Sequence, residues 1–156
     1  MEKQKKSSVK KFMTGNDAKL VDTNILVYAY DMNAGKKHSL AKELVKERWI
    51  KQDGFLSVQN LAEFYYVSTR KLPKKLDAGQ AKQVIMDFAQ GFSIIKYDEN
   101  TVINAIGNQI SYNISFWDSL IVSTMEENSI STIITENEKD FRKIKWLKVI
   151  NPFKEK

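Results

Sequence analysis

The sequence predicts an α/β protein: a three-layer α/β/α sandwich on a central, mainly parallel sheet. Two observations predict it. Short apolar runs alternate with longer amphipathic segments through residues 17–156, and the connections between them are short. No internal repeat or low-complexity segment interrupts the alternation.

Residues 1–16 are polar and charged and read as a flexible basic tail ahead of a single domain over 17–156. Lys19 to Asp22 is a short buried strand. Asn24 to Tyr30 continues as a helix, with Ile25 and Leu26 inward together with Tyr28 or Ala29. Asp31 to Gly35 is a loop. Ser39 to Lys51 has helical spacing, with Leu40, Leu44, Val45 and Trp49 set against Lys42, Glu43, Lys46 and Glu47. Gly54 to Val58 is a strand, and the helix from Gln59 to Lys71 behind it is bounded by Pro73. Asp77 to Gln90 is a further helix, with Ala81, Val84, Ile85 and Phe88 on one face and Gly91 closing it. Phe92 to Tyr97 is a strand. Asp98 caps a helix running to Ser111, and Ser115 caps the next, Phe116 to Asn128. Ser131 to Thr135 and Trp146 to Ile150 are the last strands.

In parallel sheets ligands bind beyond the carboxyl ends of the strands. Asp22 and Thr135 stand at two such ends, and Glu63 and Asp118 stand at the starts of helices that leave the same edge. Each acid alone also reads as a helix cap. Asp118 follows Ser115 by three residues, Glu63 follows Asn60 by three, and Asp22 precedes a helix start. Their joint occurrence is the stronger signal, because caps do not require every helix to begin at one sheet edge. Phe64, Tyr65 and Val67 frame Glu63, and Phe116, Trp117, Leu120 and Ile121 frame Asp118. A carboxylate in an apolar frame is costly unless compensated, and a divalent cation compensates several at once.

Composition narrows the chemistry. The chain has 156 residues, 42% of them hydrophobic, enough for one domain with a real core. It has no cysteine, which excludes disulfides, thiolate zinc sites and cysteine nucleophiles. Its single histidine, His38, follows Gly35-Lys36-Lys37 and reads as a surface residue, so a catalytic histidine pair is excluded. No apolar run approaches the ~20 residues that cross a bilayer, and no apolar signal segment follows the basic N-terminus. The expectation is a cytoplasmic protein. Net charge is +6. The first twelve residues and the stretch from Lys139 onward are strongly basic, around a slightly acidic middle. Basic ends around a carboxylate centre suit a polyanionic substrate.

Three segments, VDTNILVYAYD from Val21, EFYYVSTRK from Glu63 and SFWDSLIVSTMEE from Ser115, together resemble the PIN domain, and more closely the VapC-type toxins of toxin–antitoxin pairs. The resemblance spans Leu20 to Ile150. It implies a PIN-like fold and an endoribonuclease in which Asp22, Glu63 and Asp118 hold Mg²⁺ or Mn²⁺, leaving 5′-phosphate and 3′-hydroxyl ends. It gives Asn24 and Thr135 the task of orienting the ligands or a water. At the fourth position the family often has Thr/Ser-x-Asp, whereas this chain reads Thr135-Glu136-Asn137. Asn137 brings a carbonyl oxygen and no charge. Asp140 or a water then completes the ligand set, with one ion or two. Glu136 and Glu138 read as a solvated turn. Crowded carboxylates without metal are expected to repel and raise one another's pKa values.

Arg70, Lys71, Lys74 and Lys75 cluster after the second motif and Lys36 and Lys37 after the first, as candidate contacts to RNA phosphates. Tyr65, Tyr66, Tyr97 and Tyr112 could stack bases, although core or interface packing is the better reading for most of them. The resemblance also implies a homodimer and a cognate antitoxin protein that inserts into the acidic groove. Two other readings stay open: an RNA-maturation or decay nuclease without an antitoxin, and a degenerate module that binds RNA or protein without cutting. A haloacid-type phosphatase fits poorly, because it needs a second Asp at position 24, which is Asn.

Overall fold

In a computed structural model of the chain, residues 17–154 are described. The expected basic tail over 1–16 lies outside them. The described chain runs β1 (Lys19–Val21), α1 (Thr23–Tyr30), a single 3-10 turn (Met32–Ala34) and α2 (Lys36–Lys51). It continues through β2 (Gly54–Ser57), α3 (Val58–Arg70), α4 (Ala78–Gly91), β3 (Ser93–Ile95), α5 (Glu99–Tyr112) and α6 (Phe116–Glu127). It ends with β4 (Thr132–Ile134), the short α7 (Glu138–Phe141) and β5 (Lys148–Ile150). The five strands lie in the order β3-β2-β1-β4-β5, and all four pairings are parallel.

The three central strands, β2, β1 and β4, are largely buried, and strand residues alternate between two cores. Leu20, Phe55, Ile95 and Ile133 pack with Ile121, Val122 and Met125 of α6. Val21, Leu56 and Ile134 pack with Ile25, Leu26, Ala41, Phe64 and Phe88 of α1 to α4. A two-residue side-chain period sends successive apolar residues to opposite layers, and each needs a helix to cover it. The predicted sandwich is therefore observed. Among the described residues no helix is long and apolar enough to cross a membrane.

α2 differs from its expected face. Its buried residues are Ala41 and Arg48, while Leu40 and Trp49 are partly exposed. Arg48 turns inward because Asp53 stands beneath it, and their ion pair is buried and joined by Lys19 at 3.2 Å. Trp49 instead lies over the backbone at Gly91, where an added Cβ would stand 2.2 Å from the indole. Gly91 is thus required for close approach as well as for ending α4. Trp146 falls in a turn ahead of β5. His38 is half-buried, and its Nδ1 meets the Tyr28 carbonyl at 2.9 Å, which corrects the surface reading.

The strand order changes direction at the β1–β4 seam. From β1 the chain moves outward to β2 and β3, then crosses back to β4 and on to β5. A crevice opens beyond the carboxyl ends at such a switch point. Asp22 follows β1 there, and Thr135 follows β4.

Candidate active site

Asp22 is the N-cap of α1, and its Oδ1 accepts the Thr23 backbone N–H at 2.8 Å. The capping role and a place at the strand end are not alternatives, since one residue fills both. Its Oδ2 accepts from the Thr135 hydroxyl at 2.8 Å and from Asn24 Nδ2 at 3.3 Å. Asn24 Nδ2 also reaches Thr135 Oγ1 at 3.2 Å, and Asn24 Oδ1 accepts the Glu136 backbone N–H at 3.2 Å. Asn24 and Thr135 thus lock Asp22 across the β1–β4 seam.

Glu63 lies in the second turn of α3 rather than its first. The cap is Ser57, which forms a reciprocal capping box with Asn60. Asn60 is therefore the partner of a cap and not the cap of Glu63. Its Nδ2 donates to Thr23 Oγ1 at 3.0 Å, and that hydroxyl donates to Glu63 Oε2 at 2.7 Å. The other oxygen of Glu63 accepts from Gln59 Nε2 at 2.8 Å. Gln59 and Thr23 escaped sequence reasoning, because polar residues at helix starts are ordinary.

Asp118 sits in the first turn of α6, where Ser115 Oγ accepts its backbone N–H at 3.1 Å. Its carboxylate Oδ2 accepts from Asn137 Nδ2 at 3.2 Å. Asn137 in turn donates its backbone N–H to Thr135 Oγ1 at 3.0 Å. Asp140, on α7, is near enough for its charge to act on Asp118, and it also pairs with Lys143 at 3.5 Å. Trp117 does not frame Asp118. The residue is 61% exposed, while its carbonyl accepts from Gln59 Nε2 at 3.0 Å.

The electrostatics follow from this arrangement. Burial, which disfavours the charged form, pushes the Asp22 carboxyl up to about 6. The Thr135 and Thr23 hydrogen bonds oppose the rise, and the charges of Glu63 and Asp118 add to it. Asp118 is also raised, again chiefly by burial, with Asp140 and Glu63 contributing. Repulsion between the acids is therefore real but secondary to burial. Among the described residues, no three acidic or histidine side chains stand close enough to form a ready-made metal cage. Both oxygens of Glu63 are held by neighbours, as is one of Asp118. The donor set nonetheless fits a hard divalent cation in kind: carboxylate oxygens, partly to wholly desolvated, with like charge facing like.

The basic residues divide. Arg70 lies seven residues beyond Glu63, on the same face of α3, and its guanidinium and the Lys71 ammonium stand 4.9 and 5.5 Å from the Tyr66 ring centroid. Lys74 and Lys75 instead line a separate groove of about 440 Å³ with Tyr30, Met32 and Lys42. Lys37 pairs with Glu136, which also accepts the Tyr28 hydroxyl at 2.7 Å. Glu138 is held well down, to about 2, by Lys154, Arg142 and Asn151. The loop of Glu136 and Glu138 is thus a bonded structural corner and not a solvated turn.

The model of the PIN domain family matches residues 19–147. This chain belongs to the PIN domain family. Solved structures share the PIN fold over most of their length. A toxin–antitoxin complex from Klebsiella pneumoniae is 21% identical, with a TM-score of 0.63, covering 88% of this chain and 100% of that one. The VapBC2 complex from Rickettsia felis, bound to a fragment of promoter DNA, is 23% identical, with a TM-score of 0.59 and coverage of 86% and 98%. The sarcin–ricin loop cleaving toxin VapC20 from Mycobacterium tuberculosis is 14% identical, with a TM-score of 0.59 and coverage of 78% and 92%. At these identities the likeness is one of fold. No curated protein matches the chain in sequence.

Proposed function

We propose that this PIN-domain chain is a metal-dependent endoribonuclease and the toxin of a toxin–antitoxin pair. The observation that supports the reading is that Asp22, Glu63 and Asp118, from the cap of α1, the second turn of α3 and the first turn of α6, lie within range of one another's charge. Asp22, Glu63, Asp118 and Asp140 would hold Mg²⁺ or Mn²⁺, as one ion or two. A bound ion stabilises charge on a scissile phosphate and lowers the pKa of a water.

The chain's own groups set that chemistry up. Thr135 and Asn24 aim the Asp22 carboxylate across the seam. Thr23 and Gln59 fix the plane of the Glu63 carboxylate. Asn137 turns Asp118 without adding charge. Arg70, on the helix of Glu63, and Lys71, its C-cap, would contact phosphates of the substrate strand, and attack of water on the scissile phosphorus with departure of the 3′ oxygen would leave 5′-phosphate and 3′-hydroxyl ends. Lys74 and Lys75, which line a separate groove, would add positive charge for RNA there rather than beside Arg70. The homodimer, the antitoxin partner and a cytoplasmic location belong to the same reading. The toxin–antitoxin complexes of this fold support the antitoxin partner.

The test is cleavage of end-labelled tRNA and structured RNA with Mg²⁺ or Mn²⁺, with and without EDTA. Asp118→Asn is expected to lower the rate by at least about 100-fold, the scale lost when one preorganised charge-stabilising group is removed. Metal-independent cutting, or a variant as active as the wild type, overturns the assignment. A non-cutting RNA- or protein-binding module is the second reading. It draws on Asn137 at the fourth position and on the fully bonded Glu63 carboxylate. A Mn²⁺ titration that detects no binding would favour it.

A further inference from the structure

Gln59 stands at the start of α3, four residues before Glu63 and on the same helix face. It is buried, with 6% of its surface exposed. Its Nε2 donates to Glu63 Oε1 at 2.8 Å and to the Trp117 carbonyl, one residue before Asp118, at 3.0 Å. Its Oε1 is buried too, and among the described residues it meets no donor. A buried amide oxygen without a partner is costly and uncommon. The amide cannot escape that cost simply by reversing, because Nε2 faces two oxygens. A reversed amide would set Oε1 against a carboxylate and a carbonyl, lone pair against lone pair. A cation among those oxygens turns that repulsion into shared ligation and favours the reversed orientation.

Resting on the metal-dependent reading, we propose that Gln59 is a neutral oxygen ligand of the site: as a divalent ion enters at Glu63, the Gln59 amide reverses and gives Oε1 to the ion or to a water on it. The Nε2 hydrogens and the ion are thus alternative partners of Glu63 Oε1. Thr23 keeps its hydrogen bond to Glu63 Oε2 at 2.7 Å, so the carboxylate stays aimed while its other oxygen changes partner. Amide carbonyls are ordinary ligands of hard cations. A neutral one adds a donor oxygen without adding negative charge to a site built of acids. The same exchange supplies the buried Oε1 with the partner it lacks.

The experiment titrates the full chain with Mn²⁺ in a calorimeter, with no RNA present, so that binding is read apart from cleavage. Gln59→Met keeps the length of the side chain and removes the amide. Gln59→Glu keeps the oxygen and removes the N–H donors. Gln59→Met is expected to bind Mn²⁺ about 10-fold more weakly, and Gln59→Glu to match the wild type within about threefold or to exceed it. In EDTA, Gln59→Glu is expected to melt below the wild type, because two carboxylates then face each other. Equal affinity in Gln59→Met overturns the proposal. So does equal weakness of Gln59→Glu and Gln59→Met, which would make the N–H donors the group that matters and Gln59 a strut for Glu63. The wild type gives a readout that depends on no variant: its Gln59 side-chain N–H₂ signals are expected to shift in an NMR titration with Mg²⁺, and signals unmoved at saturation overturn the proposal. A wild type that binds no Mn²⁺ sinks the metal-dependent reading and the ligand with it. Mn²⁺ bound equally by wild type and Gln59→Met sinks the ligand alone.

Discussion

Asp22 shows how one side chain carries both a cost and a use. Its folded pKa is raised from the ordinary 3.8 to about 6, chiefly by burial. A raised pKa means that the folded chain binds the proton more tightly than the unfolded chain. The contribution of Asp22 to stability is therefore most favourable below about pH 4 and falls as pH rises towards 6. Above that range the ionised carboxylate costs about 3 kcal/mol, at 1.36 kcal/mol per unit. Asp22→Asn should accordingly raise the melting temperature in EDTA at pH 7.5, by a margin that disappears near pH 4, while abolishing cleavage. A thermal melt series over that range checks both the sign and the window. Metal affinity runs the other way, tightening as Asp22 and Asp118 ionise. Thr135→Val keeps the volume but removes the hydroxyl that aims Asp22, and is expected to lower Mn²⁺ affinity about 10- to 100-fold in a titration. At this scale Asp22 and Asp118 are legible in the sequence, because a strand end and a cap are local patterns. Gln59 is not, because its work is to join Glu63 to a carbonyl 58 residues away.

Among the elements, α2 departs furthest from its helical pattern. Periodicity places Trp49 inward with Leu44 and Val45, yet Arg48 takes the buried place because Asp53 and Lys19 complete an ion triad under it. Arg48 Nε and Asp53 Oδ1 have no further partner, so the pair is an expensive one. Asp53→Ala should strand the guanidinium and cost about 3–5 kcal/mol in denaturant unfolding. Pairing it with Arg48→Met should recover most of that loss, since no buried charge then remains. α3 carries a smaller departure of the same origin. Asn60 looks like a cap for Glu63, but Ser57 caps one residue before the helix, and Asn60 turns to reach Thr23. The helix itself, its end before Pro73 and its apolar face at Phe64 are all local and were readable.

For the whole molecule, the parallel sandwich follows from the alternation of elements, and the switch point from the strand order. The outer face of α5 exposes Ile103, Ile106 and Ile110 at 63%, 47% and 77%, spaced as one helical stripe. That stripe is the contact expected of the proposed homodimer, so Ile106→Asp with Ile110→Asp should leave a monomer in sedimentation while preserving the melting temperature. A wild type that is already monomeric would remove the dimer from the reading.

By itself the sequence determined the succession of strands and longer helices, though not the short α7, and marked the acids at the strand ends and helix starts. These rest on periods and caps spanning a few residues, where neighbours in the chain are neighbours in space. Only the tertiary structure decided that Trp117 faces out, that Arg48 faces in, and that Glu136 anchors a corner. It also brought Thr23 to Glu63, 40 residues apart, and Asp22 to Thr135, 113 residues apart. Such contacts depend on the order in which strands assemble, and no local stretch of chain encodes that order.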